Sequence, residues 1–329
     1  MPKPLPLDVL WVPGTGPDPA ALAELQRKFP RPRKPMGEAW FMGDSRFMFD
    51  ALCQPDFAQV DPAEVDRALE EIGSGMRCFG FMQEWWDWLH YLLPRVTARH
   101  ASLPKSLLDS PVCGLVSALI THHPDGFAAG TDAALRGQVL ITLGRSLMDG
   151  ARWSDGLIRA GSLLHDIPLA SDDVGRWWET AEDLNCLLFL CLKCLAPAEV
   201  GPWAASVLRI ADPHWRSQLL LWMTHAGMRR FDLLGASPTP SLGWPGSDAL
   251  APNAAGLPVQ NIDAFVHAAK SHFAAPEVLL SWWESVSDTP YLAWVTGQVL
   301  GDFELLYARC GHGLVAATEV RSPRGTPPP

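Results

Sequence analysis

The stretch Arg176–Leu195, RWWETAEDLNCLLFLCLKCL, decides how the rest of the chain is read. From Cys186 to Leu192 every residue is apolar, and between Leu184 and Ala196 only Asn185 and Lys193 interrupt the run. A helix that is apolar around its whole circumference is buried on all sides. The run falls short of the about 20 apolar residues that a bilayer crossing requires. The stretch therefore reads as the central helix of a helical protein, with the other helices packed around it.

Composition points the same way. Hydrophobic residues make up 48% of the 329, and 15 residues are Trp, so a sizeable core is required. Disordered segments are poor in aromatics, which excludes disorder for most of the chain. Leu, Ala and Trp are abundant while Val, Ile, Thr and Tyr are scarce, a balance that favours helices over sheet. The formal net charge of −10 argues against nucleic acid, whose binding requires a basic face. No segment reaches transmembrane length, and Met1-Pro2-Lys3-Pro4 leads into no apolar signal stretch, so a cytoplasmic chain without membrane insertion is expected. The seven Cys show no framework spacing and read as reduced, mostly buried thiols.

Working outward, residues 1–60 form a Pro-rich arm followed by an irregular segment. Leu7–Val12 reads as a short strand or as chain packed over a helix. Asp18-Pro19 reads as an N-cap with Pro at the first helical position. The amphipathic helix it opens ends in Arg27, Lys28, Arg31, Arg33 and Lys34, broken by Pro30, Pro32 and Pro35. The plain reading is cations near a helix C-terminus followed by a solvated linker. The functional reading is a docking strip for an acidic partner. Trp40-Phe41-Met42 and Phe47-Met48-Phe49 flank Gly43-Asp44, which allows either a short hairpin or a buried irregular segment.

Residues 61–234 read as the main helical body. Asp61-Pro62 starts a helix that Gly73-Ser74-Gly75 should end. A long helix follows over 76–99, which Pro94 should kink or end near Leu93. Beyond Pro104 apolar helices alternate with breaks at His123–Gly126, Asp149-Gly150, Ile167-Pro168, Ala196-Pro197, Asp212-Pro213 and Leu234-Gly235. Leu135, Val139, Leu143 and Leu147 show the helical spacing. The expected class is all-α, an irregular α-solenoid or multi-helix stack that resembles HEAT or armadillo helix pairs in helix length and breaker spacing. Residues 235–260 are a Gly/Pro-rich loop, and Trp244 within it should pin the loop to the body. Residues 261–311 carry further helices, among them 261–272, 276–286 and 290–309, and 312–329 form a tail that is disordered at its end. Tryptophan pairs recur at Trp85-Trp86, Trp177-Trp178 and Trp282-Trp283, each followed by an acidic residue. Neighbours on a helix point about 100° apart, so each pair can wedge between two partner helices. Trp85, Trp86 and Trp244 are the candidate binding residues.

One segment carries a catalytic signal. Ala160–Ile167, AGSLLHDI, resembles the central motif of the HD-domain metal-dependent phosphohydrolases. That family is all-helical and binds its metal through a His on an earlier helix, the adjacent His-Asp pair and a later Asp. The resemblance implies His165 and Asp166 as metal ligands, and a metal-activated water attacking a phosphoester. Residues 136–159 contain no His, so the upstream ligand would fall to His122 or His123; Asp172, Asp173 and Asp183 lie downstream. The plain alternative is a helix C-terminus at which His165 meets terminal carbonyls before Pro168. Cys191 and Cys194 form a C-x-x-C with no second knuckle and no βαβ context, and read as core thiols. There is no G-K-[ST] after Gly14-Thr15-Gly16 and no G-x-S-x-G. The expected function is a non-catalytic, protein-binding helical module of the adaptor or toxin-neutralising type. Its acidic surface favours a partner with a basic surface, and it calls for no cofactor. The divergent hydrolase is the alternative.

Overall fold

A computed structural model describes residues 8–37, 42–75, 82–99, 111–123, 126–127, 133–159, 182–224 and 257–287. Among them the chain is mostly helical. The order is α1 (Pro19–Lys28), α2 (Pro62–Gly75), α3 (Met82–Arg99), α4 (Pro111–His122), α5 (Ala133–Thr142), β1 (Trp153–Ser154), β2 (Leu157–Ile158), α6 (Glu182–Cys194), α7 (Pro197–Leu208), α8 (Pro213–Thr224), α9 (Val259–His272) and α10 (Pro276–Ser287). Three 3₁₀ turns lie between α1 and α2. No helix among these residues is long and apolar enough to cross a membrane.

The apolar run at 186–192 is the hub. All residues from Cys186 to Leu195 are buried, Lys193 included. Helix α6 packs against α4, α5 and α9, and α4 in turn packs against α2 and α3. Polar ties fix the C-terminal end of the hub. Arg136 of α5 pairs with Glu199 of α7 at 2.8 Å and also donates to the Cys194 carbonyl. Glu199 in addition accepts the Ala196 N–H that opens α7. Asn261 Nδ2 donates to the carbonyls of Leu192 and Leu195, so α9 caps the end of α6. Carbonyls at a helix end have no partner of their own and must be met this way.

A second cluster is built of tryptophan. Among its described residues the arm has no strand; Val9 and Trp11 are buried and the Trp11 backbone N–H donates to Ser206 Oγ of α7. Trp11 meets Trp203 and Trp215 edge-on with ring centroids 5.7 and 6.0 Å apart, and Trp215 also meets Trp153 of the hairpin. The buried Asp212 caps α8 through the Trp215 N–H and holds the hairpin through the Ile158 N–H.

Two alternatives are excluded, and one expected helix end holds. Residues 42–53 are not a hairpin: Phe49 and Leu52, the fully buried pair, are three residues apart, which suits a helical turn and not an alternating strand. The hairpin lies at 153–158 instead, turned by Asp155 and Gly156, both at positive φ, the Asp-Gly signature of a two-residue turn. Helix α2 ends in Gly73–Gly75, which form its last turn, as expected. Helix α3 passes through Pro94 to Arg99. Around that proline, Arg95 Nη1 donates to the Tyr91 carbonyl at 2.8 Å and Thr97 Oγ1 to the Leu93 carbonyl at 2.7 Å, so side chains reinforce the turn that lacks an N–H.

Candidate functional site

The end of α1 meets α3 and α4 in a cluster of imidazole and aromatic rings. Trp86, half-buried on α3, is its centre. His90 lies one turn further along α3, with its ring centroid 4.7 Å from that of Trp86. His122 and His123, at the end of α4, approach Trp86 at 4.6 Å each. Phe29 stacks on His90 at 4.3 Å, and Phe127 stacks on His123 at 3.8 Å. Trp85 points the other way and is fully buried, as the angle between helical neighbours requires.

The loop that follows α4 is held in an unusual conformation. Gly126 and Phe127 both lie in the left-handed region, at φ +64°. The glycine permits a close approach: a Cβ there would sit 2.5 Å from the Lys193 carbonyl oxygen of α6. For Phe127 the same φ is strained, of order 1 kcal/mol or more, and the stacking on His123 offsets it. Burial, reinforced by the neighbouring His123 and His90 rings, pushes the His122 pKa down to about 3. Both of its ring nitrogens are sealed from water without a hydrogen-bond partner. His122 is thus neutral at pH 7 and packs as an aromatic ring. The cluster fixes the α1 end, which Arg95 also holds by donating to the Phe29 carbonyl.

From Phe29 the chain runs out onto the surface. Arg27, Lys28, Arg31, Arg33 and Lys34 are all exposed. Arg31 Nη1 donates to the carbonyls of Cys53 and Gln54, the latter at 2.9 Å, which ties the strip to the end of the 3₁₀ turn at 50–53. Every residue from Met42 to Phe47 is exposed, Met42 to 90% and Phe47 to 58%. Phe49 and Leu52 anchor the same segment, with no exposure at all.

The sequence candidates divide accordingly. Trp86, His122 and His123 come together; Trp85 joins the core. His165, Asp166, Trp244, Trp177 and Trp178 lie outside the described residues, as do the 235–256 part of the loop, the 290–309 helix and the tail. Among the described residues no three His, Cys, Asp or Glu side chains are grouped to hold a metal ion. Burial raises the Cys191 pKa well above its usual value and pushes Cys194 up to about 12, so both stay protonated and unreactive. His90 carried a readable signal, the four-residue spacing from Trp86. Phe29 and Phe127 carried none, because their contacts cross between elements. Comparison with protein families, curated proteins and solved structures gives no match to this chain.

Proposed function

We propose that this chain is a non-catalytic, cytoplasmic protein-binding module of the adaptor or toxin-neutralising kind, its helices stacked in HEAT-like pairs. The observation that carries the reading is the exposed pair Met42 and Phe47 on a segment anchored by Phe49 and Leu52. Large apolar side chains cost free energy in water, about 25 cal/mol per Å². Met and Phe are enriched at protein interfaces, and a rigid base lowers the entropy lost when they are covered. The net charge of −10 steers a partner with a basic surface toward the body. The test is affinity capture from the native cells with the full chain and with the Met42→Ser/Phe47→Ser variant. The reading expects one stoichiometric protein on the wild-type chain and its loss from the variant. Equal capture by both, or no stoichiometric protein on either, refutes it.

A further inference from the structure

The basic strip runs against the charge of the rest of the chain. Five cations fall within Arg27–Lys34, while the whole chain carries −10. The helix dipole accounts for Arg27 and Lys28, which lie in the last turn of α1. It does not account for Arg31, Arg33 and Lys34, because that effect fades beyond the last turn. None of Arg27, Arg31, Arg33 and Lys34 forms an ion pair among the described residues. Pro30, Pro32 and Pro35 restrict the backbone between them, so the strip is presented with little entropy left to lose. The Arg31 bonds to Cys53 and Gln54 tie the strip to the end of the turn segment that opens with the exposed Met42–Phe47.

We propose that residues 27–34 and 42–47 dock an acidic segment of a partner protein, its carboxylates on Arg31, Arg33 and Lys34 and an apolar side chain on Met42 and Phe47. This rests on the protein-binding reading and names the chemistry of that same site. Charge complementarity selects the occupant. A cation cluster beside exposed apolar side chains also suits an anionic bilayer or a nucleic acid. Those are extended polyanions, however, and meet the −10 of the whole body as well as the strip. A short acidic segment meets only the strip, because charges further than the about 8 Å Debye length are screened. The partner's basic surface then faces the acidic body while its acidic segment reaches the strip, and the two together fix one orientation.

The experiment uses the full chain and a fluorescent peptide of alternating Glu and Leu, with a Gln-for-Glu peptide, phosphatidylserine vesicles and a 20-base-pair duplex beside it. The charge variant is Arg33→Glu/Lys34→Glu, which spares the Arg31 bonds; circular dichroism and melting confirm that it folds. The proposal expects the Glu peptide to bind at least tenfold more tightly than the Gln peptide, the vesicles or the duplex. It also expects a loss of at least tenfold in the charge variant. Equal affinity for the Glu and Gln peptides overturns it, as does preference for vesicles or duplex. In the capture experiment, a partner retained by the charge variant but lost by Met42→Ser/Phe47→Ser overturns this inference and leaves the protein-binding reading standing. A partner retained by both variants ends both.

Discussion

His122 is where a single side chain gives the molecule a pH dependence. Its pKa of about 3 lies below the ordinary value of 6.5, so the unfolded chain takes up the proton first. The stability contributed by the neutral ring is full above pH 6.5 and falls as the pH drops from there toward 3. Between pH 7 and pH 5 the loss from this one ring is up to about 2 kcal/mol. Urea unfolding at the two pH values checks it: His122→Phe, which keeps an aromatic ring against Trp86, should lose less stability over that interval than the wild type. Equal losses would show that His122 is not the group responsible. Sequence alone placed His122 and His123 at the end of a helix, with a metal site as the alternative, and α4 does end at His122. Their packing against Trp86 depends on how α3 and α4 meet, and no local spacing encodes that.

At the level of elements, glycine separates close helix crossings from loose ones. Gly114 of α4 faces Leu69 of α2 so closely that a Cβ there would lie 2.9 Å from the Leu69 Cβ. Gly73 of α2 has no neighbour nearer than the 3.8 Å to the Ser117 Cβ. Gly114→Ala should therefore destabilise by about 1–3 kcal/mol through overpacking. Gly73→Ala should stabilise by about 0.5–1 kcal/mol through helix propensity. Chemical denaturation measures both, and a shared sign would contradict the α2–α4 packing. Leu188→Asp, which buries a charge at the centre of α6, should leave the protein unfolded by circular dichroism. The elements that were legible carry their own punctuation. Asp18 and Asp61 accept the backbone N–H groups two residues on, as their Asp-Pro signatures predict, and α7 and α8 open at Pro197 and Pro213. The uniform apolarity of 186–192 announced a buried helix for the same local reason. Illegible were the features settled by tertiary contact: the 3₁₀ turns at 43–53 and the strand pair clasped by Asp212. The aromatic segment at 40–49 misled because hydrophobic residues there signal burial, whereas Met42 and Phe47 face water.

For the whole molecule, charge is segregated, and the two parts act at different ranges. On the proposed reading, the −10 of the chain governs approach and the strip at 27–34 governs the final contact. Raising the salt from about 50 to 500 mM should slow association with a basic partner by about tenfold or more. Arg33→Glu/Lys34→Glu should act mainly on dissociation, since it alters contacts made only in the complex. Surface-immobilised kinetics separate the two rates, and a charge variant that changes association alone would reverse this division. The packing of Trp11 on Trp203 and Trp215 also has an optical consequence. Rings held edge-on at 5.7–6.0 Å in a fixed chiral arrangement give near-ultraviolet circular dichroism, which vanishes when packing loosens even if helices persist. The N-terminal arm is thereby wired to an intrinsic spectroscopic reporter. Its detachment from α7 would show in the 280–300 nm band while the helical signal at about 222 nm stayed level, with no label added.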